Sequence, residues 1–383
     1  MTNGQEKPPR SEARPTPRIA ASLAPARRAQ GAKGRSLTAA AMAVLAVALL
    51  LAGCGLADPP LTGVALLPAP GASGHVWHWT VRCPSGPVAR QGCARAGPVL
   101  GSAQLDGDAW NLGGTASAGS VDMSVGSRGA VTIEGRLARA PPCTAHACLA
   151  PSAYTWVRGY PNVLYGINQC HASTSPPVRR WLPLPMRVDS LPRHLIGVTA
   201  YSADTSQVTY DIAYDLWLHP TGTKRPCRSE GTLEIMVWTD YDAQALLPAA
   251  MQVGTARIPY AVDRVARPVT QAWSVYASNI DAGGRTAPWG GTLWFVLNRA
   301  DIVGHGVVSV DLRAVLSAAS LLLQHNYGWP ELGRHYWLDT APFGVEFGPA
   351  GGNPTGSGPA RFSARISAYC LDVRSTLPHA TCP

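Results

Sequence analysis

Several acidic residues stand where acids are out of place. Glu234 lies inside the run Leu-Glu-Ile-Met-Val-Trp at residues 233–238. A strand there would send Leu233, Ile235 and Val237 one way and Glu234, Met236 and Trp238 the other. Glu is depleted in strands, and an ionised carboxylate cannot be sealed in an apolar core without a partner. On this run alone two readings stand: a half-solvated sheet face, or a carboxylate on the floor of a cleft whose Met and Trp surfaces suit a flat, hydroxylated ligand. Residues 209–218 repeat the pattern, with Asp211, Ala213, Asp215 and Trp217 on one face. Far downstream, Phe-Gly-Val-Glu-Phe-Gly at 343–348 sets Glu346 among apolar residues and glycines that admit close backbone approach. Two carboxyl groups in aromatic surroundings are what glycoside hydrolysis needs. One is ionised to attack or stabilise the anomeric carbon, and the other holds a proton for the leaving oxygen.

The elements that must position these residues read as strands. Short apolar runs recur between Gly, Pro, Ser and Asn clusters at 76–81, 120–125, 130–137, 160–167, 196–201, 207–218, 233–238, 269–276, 293–297 and 360–369. Many strands with turn signals between them predict a sandwich or barrel. Helical spacing is clear once, at Leu312, Val315, Leu316, Ala319, Leu322 and Leu323, after an N-cap at Asp311 or Ser309. One helix among so many strands covers part of a sheet.

The N-terminal region reads as an export signal. Residues 1–36 carry eight Lys/Arg against two Glu, and residues 37–53 carry no charge. The apolar run ends in Leu-Ala-Gly-Cys at 51–54 and is slightly short for a span of ~20 residues. That ending resembles the lipobox of bacterial lipoproteins, which implies that Cys54 becomes the lipidated first residue. Residues 1–54 are therefore expected to be a lipoprotein signal, 55–74 a Pro/Gly-rich tether and 75–383 the working domain, exported and anchored on the outer face of the membrane. The chain's net charge of +9 falls to +3 without the signal, so no nucleic-acid partner is called for.

Nine cysteines in an exported chain ask for pairing, and setting Cys54 aside leaves an even number. Local pairs are easy for Cys83 with Cys93, Cys143 with Cys148 and Cys370 with Cys382, which would leave Cys170 with Cys227; spacing alone does not choose among the alternatives. Cys143-x-x-His146-x-Cys148 lacks a convincing four-ligand set, so no metal and no cofactor are expected.

The order of motifs then carries a family resemblance. Tyr-Pro-Asn-Val-Leu-Tyr-Gly at 160–166, Tyr-Asp-Leu-Trp at 214–217, Glu-Ile-Met-Val-Trp at 234–238, Trp-Ser-Val-Tyr at 273–276, Trp-Phe-Val-Leu at 294–297, Val-Asp-Leu at 310–312 and Gly-Val-Glu-Phe-Gly at 344–348 resemble glycoside hydrolase family 12. The resemblance spans roughly residues 77–369. It implies an all-β fold, a β-jelly-roll sandwich of two antiparallel sheets with one α-helix on the convex side. It implies a monomeric, retaining endo-β-1,4-glucanase acting on β-glucan polysaccharide or oligosaccharide, with Glu234 as nucleophile and Glu346 as acid/base. Asp215 matches an aspartate that hydrogen-bonds near the nucleophile, and Trp110 in Asp-Ala-Trp-Asn matches a sugar platform. Met236, Trp238 and Trp217 are the further candidate sugar-facing surfaces. Asp108 stands where the family tends to have Asn, and Gly166-Ile167-Asn168 lacks the Trp or Lys often found there. These departures bear on substrate preference more than on the reaction. They leave a non-catalytic carbohydrate-binding lipoprotein on the same sandwich as the alternative.

Overall fold

The structure is a computed structural model of the 383-residue chain. It describes residues 64–65, 77–83, 96–100, 103–108, 119–126, 129–137, 157–167, 182–220, 229–242, 251–263, 269–288, 290–349, 360–374, 377 and 380, without side chains in the first three segments and at 349. All of these lie in the unit Pro59–Pro383. The expected signal, Cys54, the tether to residue 63, Trp110 and the Cys143–His146–Cys148 group lie outside the described residues.

The chain forms β1 (Val64–Ala65), β2 (Trp77–Cys83), β3 (Ala96–Leu100), β4 (Ala103–Asp106), β5 (Gly119–Val125) and β6 (Val131–Leu137). It continues through β7 (Asn162–Leu164), β8 (Met186–Arg187), β9 (Ile196–Asp204), β10 (Val208–His219), β11 (Leu233–Tyr241) and β12 (Met251–Val262). Then come β13 (Val269–Ser278), β14 (Gly291–Leu297), β15 (His305–Asp311), the helix α1 (Leu312–Tyr327), the single turn α2 (Leu332–His335), β16 (Trp337–Thr340), β17 (Phe343–Pro349) and β18 (Ala360–Asp372). Every apolar run singled out above overlaps a strand.

Hydrogen bonding arranges the strands in two layers of a jelly roll. One runs β2-β5-β6-β18-β9-β15. The other runs β12-β13-β14-β11-β10-β17-β7-β4-β3. Two features go beyond a sandwich of separate antiparallel sheets. β12 pairs with β13 along most of its length and then with β15 through Tyr260, Ala261 and Val262. That crossing joins both layers into one sheet curved into a nearly closed barrel. The pair β11–β14 is parallel.

The main core lies between the layers. β10 contributes Ile212, Tyr214, Leu216 and Leu218, β11 contributes Leu233, Ile235 and Val237, and β17 contributes Phe343, Val345 and Phe347; Ile133, Phe362, Ile366 and Tyr369 meet them from the other layer. Close approach is specific: a Cβ on Gly197 of β9 would sit 2.7 Å from the Tyr214 ring. The Tyr214 hydroxyl also shares a hydrogen bond of 2.6 Å with Thr199. Helix α1 is capped by Asp311, which accepts from the Ala314 amide at 2.9 Å, and ends at Gly328 in the left-handed region. It buries Leu312, Val315, Leu316, Ala319 and Leu323 and packs against β12 and β9.

Candidate active site

With the apolar residues of β10, β11 and β17 turned into the core, period two sends their alternate residues to the opposite face. That face carries Asp211, Ala213, Asp215 and Trp217 from β10, Glu234, Met236 and Trp238 from β11, and Gly344 and Glu346 from β17. β10 lies between the other two strands. Trp217 pairs with Glu234 and Asp215 with Met236 on one side, while Asp211 pairs with Glu346 and Ala213 with Gly344 on the other. Four carboxyl groups therefore share one side of three adjacent strands. All are buried: Asp211 is 0%, Asp215 5%, Glu234 5% and Glu346 4% exposed.

Each acid has a distinct local environment. The parallel pairing of β11 with β14 puts Thr292 beside Glu234, and its hydroxyl donates to Glu234 Oε2 at 2.9 Å. Asp215 Oδ2 accepts from the Trp217 indole N–H at 2.7 Å, so it holds the ring that is the cross-strand neighbour of Glu234. Asp211 and Glu346 face each other across the ladder. Two ionised carboxylates buried side by side repel, which favours a proton on one of them. Burial pushes the Asp211 carboxyl well above the usual range; Glu346 opposes that rise, and the charges of Asp215 and Glu234 add to it.

Tyr160 completes the cluster. Its hydroxyl donates to the Ala213 carbonyl at 2.9 Å, next to the bulge where β10 and β11 shift register. Burial first, and then the charges of Asp215 and Asp211, hold the Tyr160 phenol well above its ordinary value, with Glu346 contributing. Residues 158–160 are tied to β17 through Arg158 N–H to Phe347 O and the Gly159–Phe347 bridge. Asp108 is half-buried beside them, its carbonyl accepting from the Tyr160 amide at 2.6 Å.

Met236 and Trp238 lie on the carboxylate face. Each is 1% exposed, and they pack with Val157, Ala213, Trp294 and Val296 in a second apolar cluster on the carboxylate face. Neither offers a free surface to a sugar here; the physical reason is that Trp294 and Val296 from β14, together with Val157, cover them. Trp217 differs, being only half-buried. Thr292, Asp211 and Tyr160 were not singled out as site residues from sequence. Only Asp211 left a local signal, its place in the β10 alternation. Among the described residues no group of three or more His, Cys, Asp or Glu is arranged to hold a metal.

No family model and no curated protein matches the chain. Solved structures with a similar course do exist. Endoglucanase 3 of Trichoderma harzianum, from family GH12, aligns over 78% of this chain and 98% of its own at 15% identity and a TM-score of 0.46. A family 12 xyloglucanase from Bacillus licheniformis, solved with a ligand, aligns over 78% and 98% at 15% identity and a TM-score of 0.48. An endoglucanase from Rhodothermus marinus covers 70% and 92% at 17% identity and a TM-score of 0.44. At these identities the likeness is one of architecture alone.

Proposed function

We propose that the chain is a retaining glycoside hydrolase that cleaves β-1,4-linked glucan internally, with Glu234 as nucleophile and Glu346 as acid/base. The observation that carries this reading is cross-strand: both glutamates project to one face from the strands flanking β10, with Asp211 and Asp215 between them. In the proposed reaction Glu234 attacks the anomeric carbon while Glu346 gives its proton to the departing glycosidic oxygen. A glycosyl ester on Glu234 results. Glu346 then takes a proton from water, which attacks the same carbon and releases Glu234. The contacts support this division of labour. The Thr292 hydroxyl orients the Glu234 carboxylate, and the buried neighbourhood of Asp211 and Glu346 favours the protonated carboxyl that a general acid needs.

Hydrolysis of a soluble chromogenic β-glucan, lost in Glu234→Ala, tests the proposal. Oligosaccharide binding in calorimetry without hydrolysis would favour the non-catalytic carbohydrate-binding alternative. Neither binding nor hydrolysis would reject both. A screen of cellulose, mixed-linkage glucan, xyloglucan and mannan assigns the substrate. We further propose export and lipid anchoring at Cys54, on the strength of the uncharged run and its Leu-Ala-Gly-Cys ending.

A further inference from the structure

The face that carries the glutamates extends past Glu234 onto β14 and β13. Trp273, Val275 and Ala277 of β13 lie in the core, so period two sends Ser274, Tyr276 and Ser278 to the carboxylate side. Tyr276 stands across the ladder from Trp294 of β14, which in turn pairs with Met236 of β11. Trp294 and Met236 are each 1% exposed, whereas Tyr276 is half-buried. Part of the Tyr276 side chain packs on the apolar cluster around Trp294, and the rest meets solvent. Tyr241 packs on the same cluster but spends its hydroxyl on the Leu297 carbonyl at 3.1 Å. No hydrogen bond holds the Tyr276 hydroxyl among the described residues, and it is not sealed from solvent.

The surroundings of that ring are polar and open. On β12, Gln252 faces Tyr276 and Thr255 faces Ser274 across the ladder; both β12 residues are exposed, and Ser274 is half-buried. Tyr276 is two strands from Glu234 and two residues along, about 12 Å at ordinary sheet spacing and roughly the length of two sugar rings. On the opposite side of Glu234 the neighbouring strand presents Trp217, also half-buried. A glucan laid across the strands from Trp217 past Glu234 therefore meets Tyr276 next. A pyranose ring offers C–H faces to an aromatic ring, and hydroxyls at its edge to the amide and hydroxyl groups around it. We propose that Tyr276, with Gln252 and Ser274 beside it, forms a sugar subsite on the β13 side of Glu234, its ring taking a hexose unit about two units from the bond that is cut. The proposal rests on the glycosidase reading and adds residues to it.

Kinetics on oligosaccharides of increasing length, cut from the polymer that the chain hydrolyses, test it. For the native chain kcat/KM should rise about tenfold at the one added unit that reaches Tyr276. Tyr276→Ala should erase that step, lowering kcat/KM about tenfold on the longer substrates and less than about twofold on the shorter ones. Should Tyr276→Ala fail to fold, Tyr276→Leu keeps an apolar cover on Trp294 and removes the flat ring, with the same loss of the step expected. A fall of equal size at every length, with a lower melting temperature, marks a packing role and overturns the subsite. So does a native chain without the step, or a step that survives in the folded variants. If the native chain binds oligosaccharides without cutting them, the glycosidase reading fails alone, and the same step is sought as affinity in calorimetry. Absence of both hydrolysis and binding removes that reading and this inference with it.

Discussion

Glu234 and Glu346 differ in what their removal should do. Glu234→Ala is expected to abolish turnover of every substrate, and azide should partly restore it with inverted stereochemistry, detected by NMR of the first product. Glu346→Ala should retain glycosylation of an aryl cellobioside, whose leaving group needs little protonation, but slow the release of the glycosyl-enzyme. A burst followed by a slow steady state is the expected trace. Inversion by the native chain would rule out the mechanism. Asp211 yields a stability prediction. Burial raises its carboxyl in the folded state, so between the ordinary carboxylate range and that raised value the folded chain binds more protons than the unfolded one. Stability contributed by the protonated form is full below the unfolded value and lost as pH rises through that window. Asp211→Asn should flatten this decline, seen as a smaller fall in urea midpoint on going from acid to neutral pH. Glu234 and Glu346 were legible in the sequence because each sits in a local alternation that an acid violates. Asp211 as the partner of Glu346, and Thr292 as that of Glu234, were not, since both depend on register between strands distant in the chain.

The elements that hold the site do so by close backbone approach. Gly344, opposite Ala213 on β17, leaves no room for a side chain: a Cβ there would lie 2.4 Å from Pro161 O and 2.5 Å from Asn162 Cβ. Gly344→Ala should displace β7 and with it Tyr160, two residues away. A loss of about 1–3 kcal/mol in urea unfolding is expected, together with reduced kcat. Asp311→Ala offers the contrast, since the cap of α1 is remote from the carboxylate face. It should cost about 1 kcal/mol and leave activity per folded molecule unchanged. The helix was readable from its spacing and cap, which are local. β12 was not: Gly254 and Pro259 interrupt a run whose buried residues Ala256, Ile258 and Tyr260 do alternate. Pro259 is tolerated although it faces Thr270 of β13; its missing N–H removes one potential ladder bond, and from the next residue, Tyr260, the strand pairs with β15. The parallel pairing of β11 with β14 was equally hidden, because pattern tells which face a residue takes but not the direction of its neighbour.

At the scale of the molecule, charge and cysteine usage separate the ends of the chain from its core. Most of the net +9 resides in residues 1–36, and the remainder is nearly balanced. The core itself relies on apolar burial across two layers, and Cys370, buried on β18, is in a disulfide. A disulfide there fits an oxidising compartment, the setting of the export proposed above. The lipid proposed on Cys54 would hold the chain at a membrane surface. One acyl chain gives marginal, reversible attachment, whereas two give a stable anchor; a diacylated cysteine meets that requirement without a spanning helix. Cys54→Ser is accordingly expected to abolish incorporation of labelled fatty acid and to leave the chain unprocessed or released to the medium. If the native chain carries no acyl group and its membrane association survives the substitution, the lipobox assignment fails and the apolar run at 37–53 is the anchor instead.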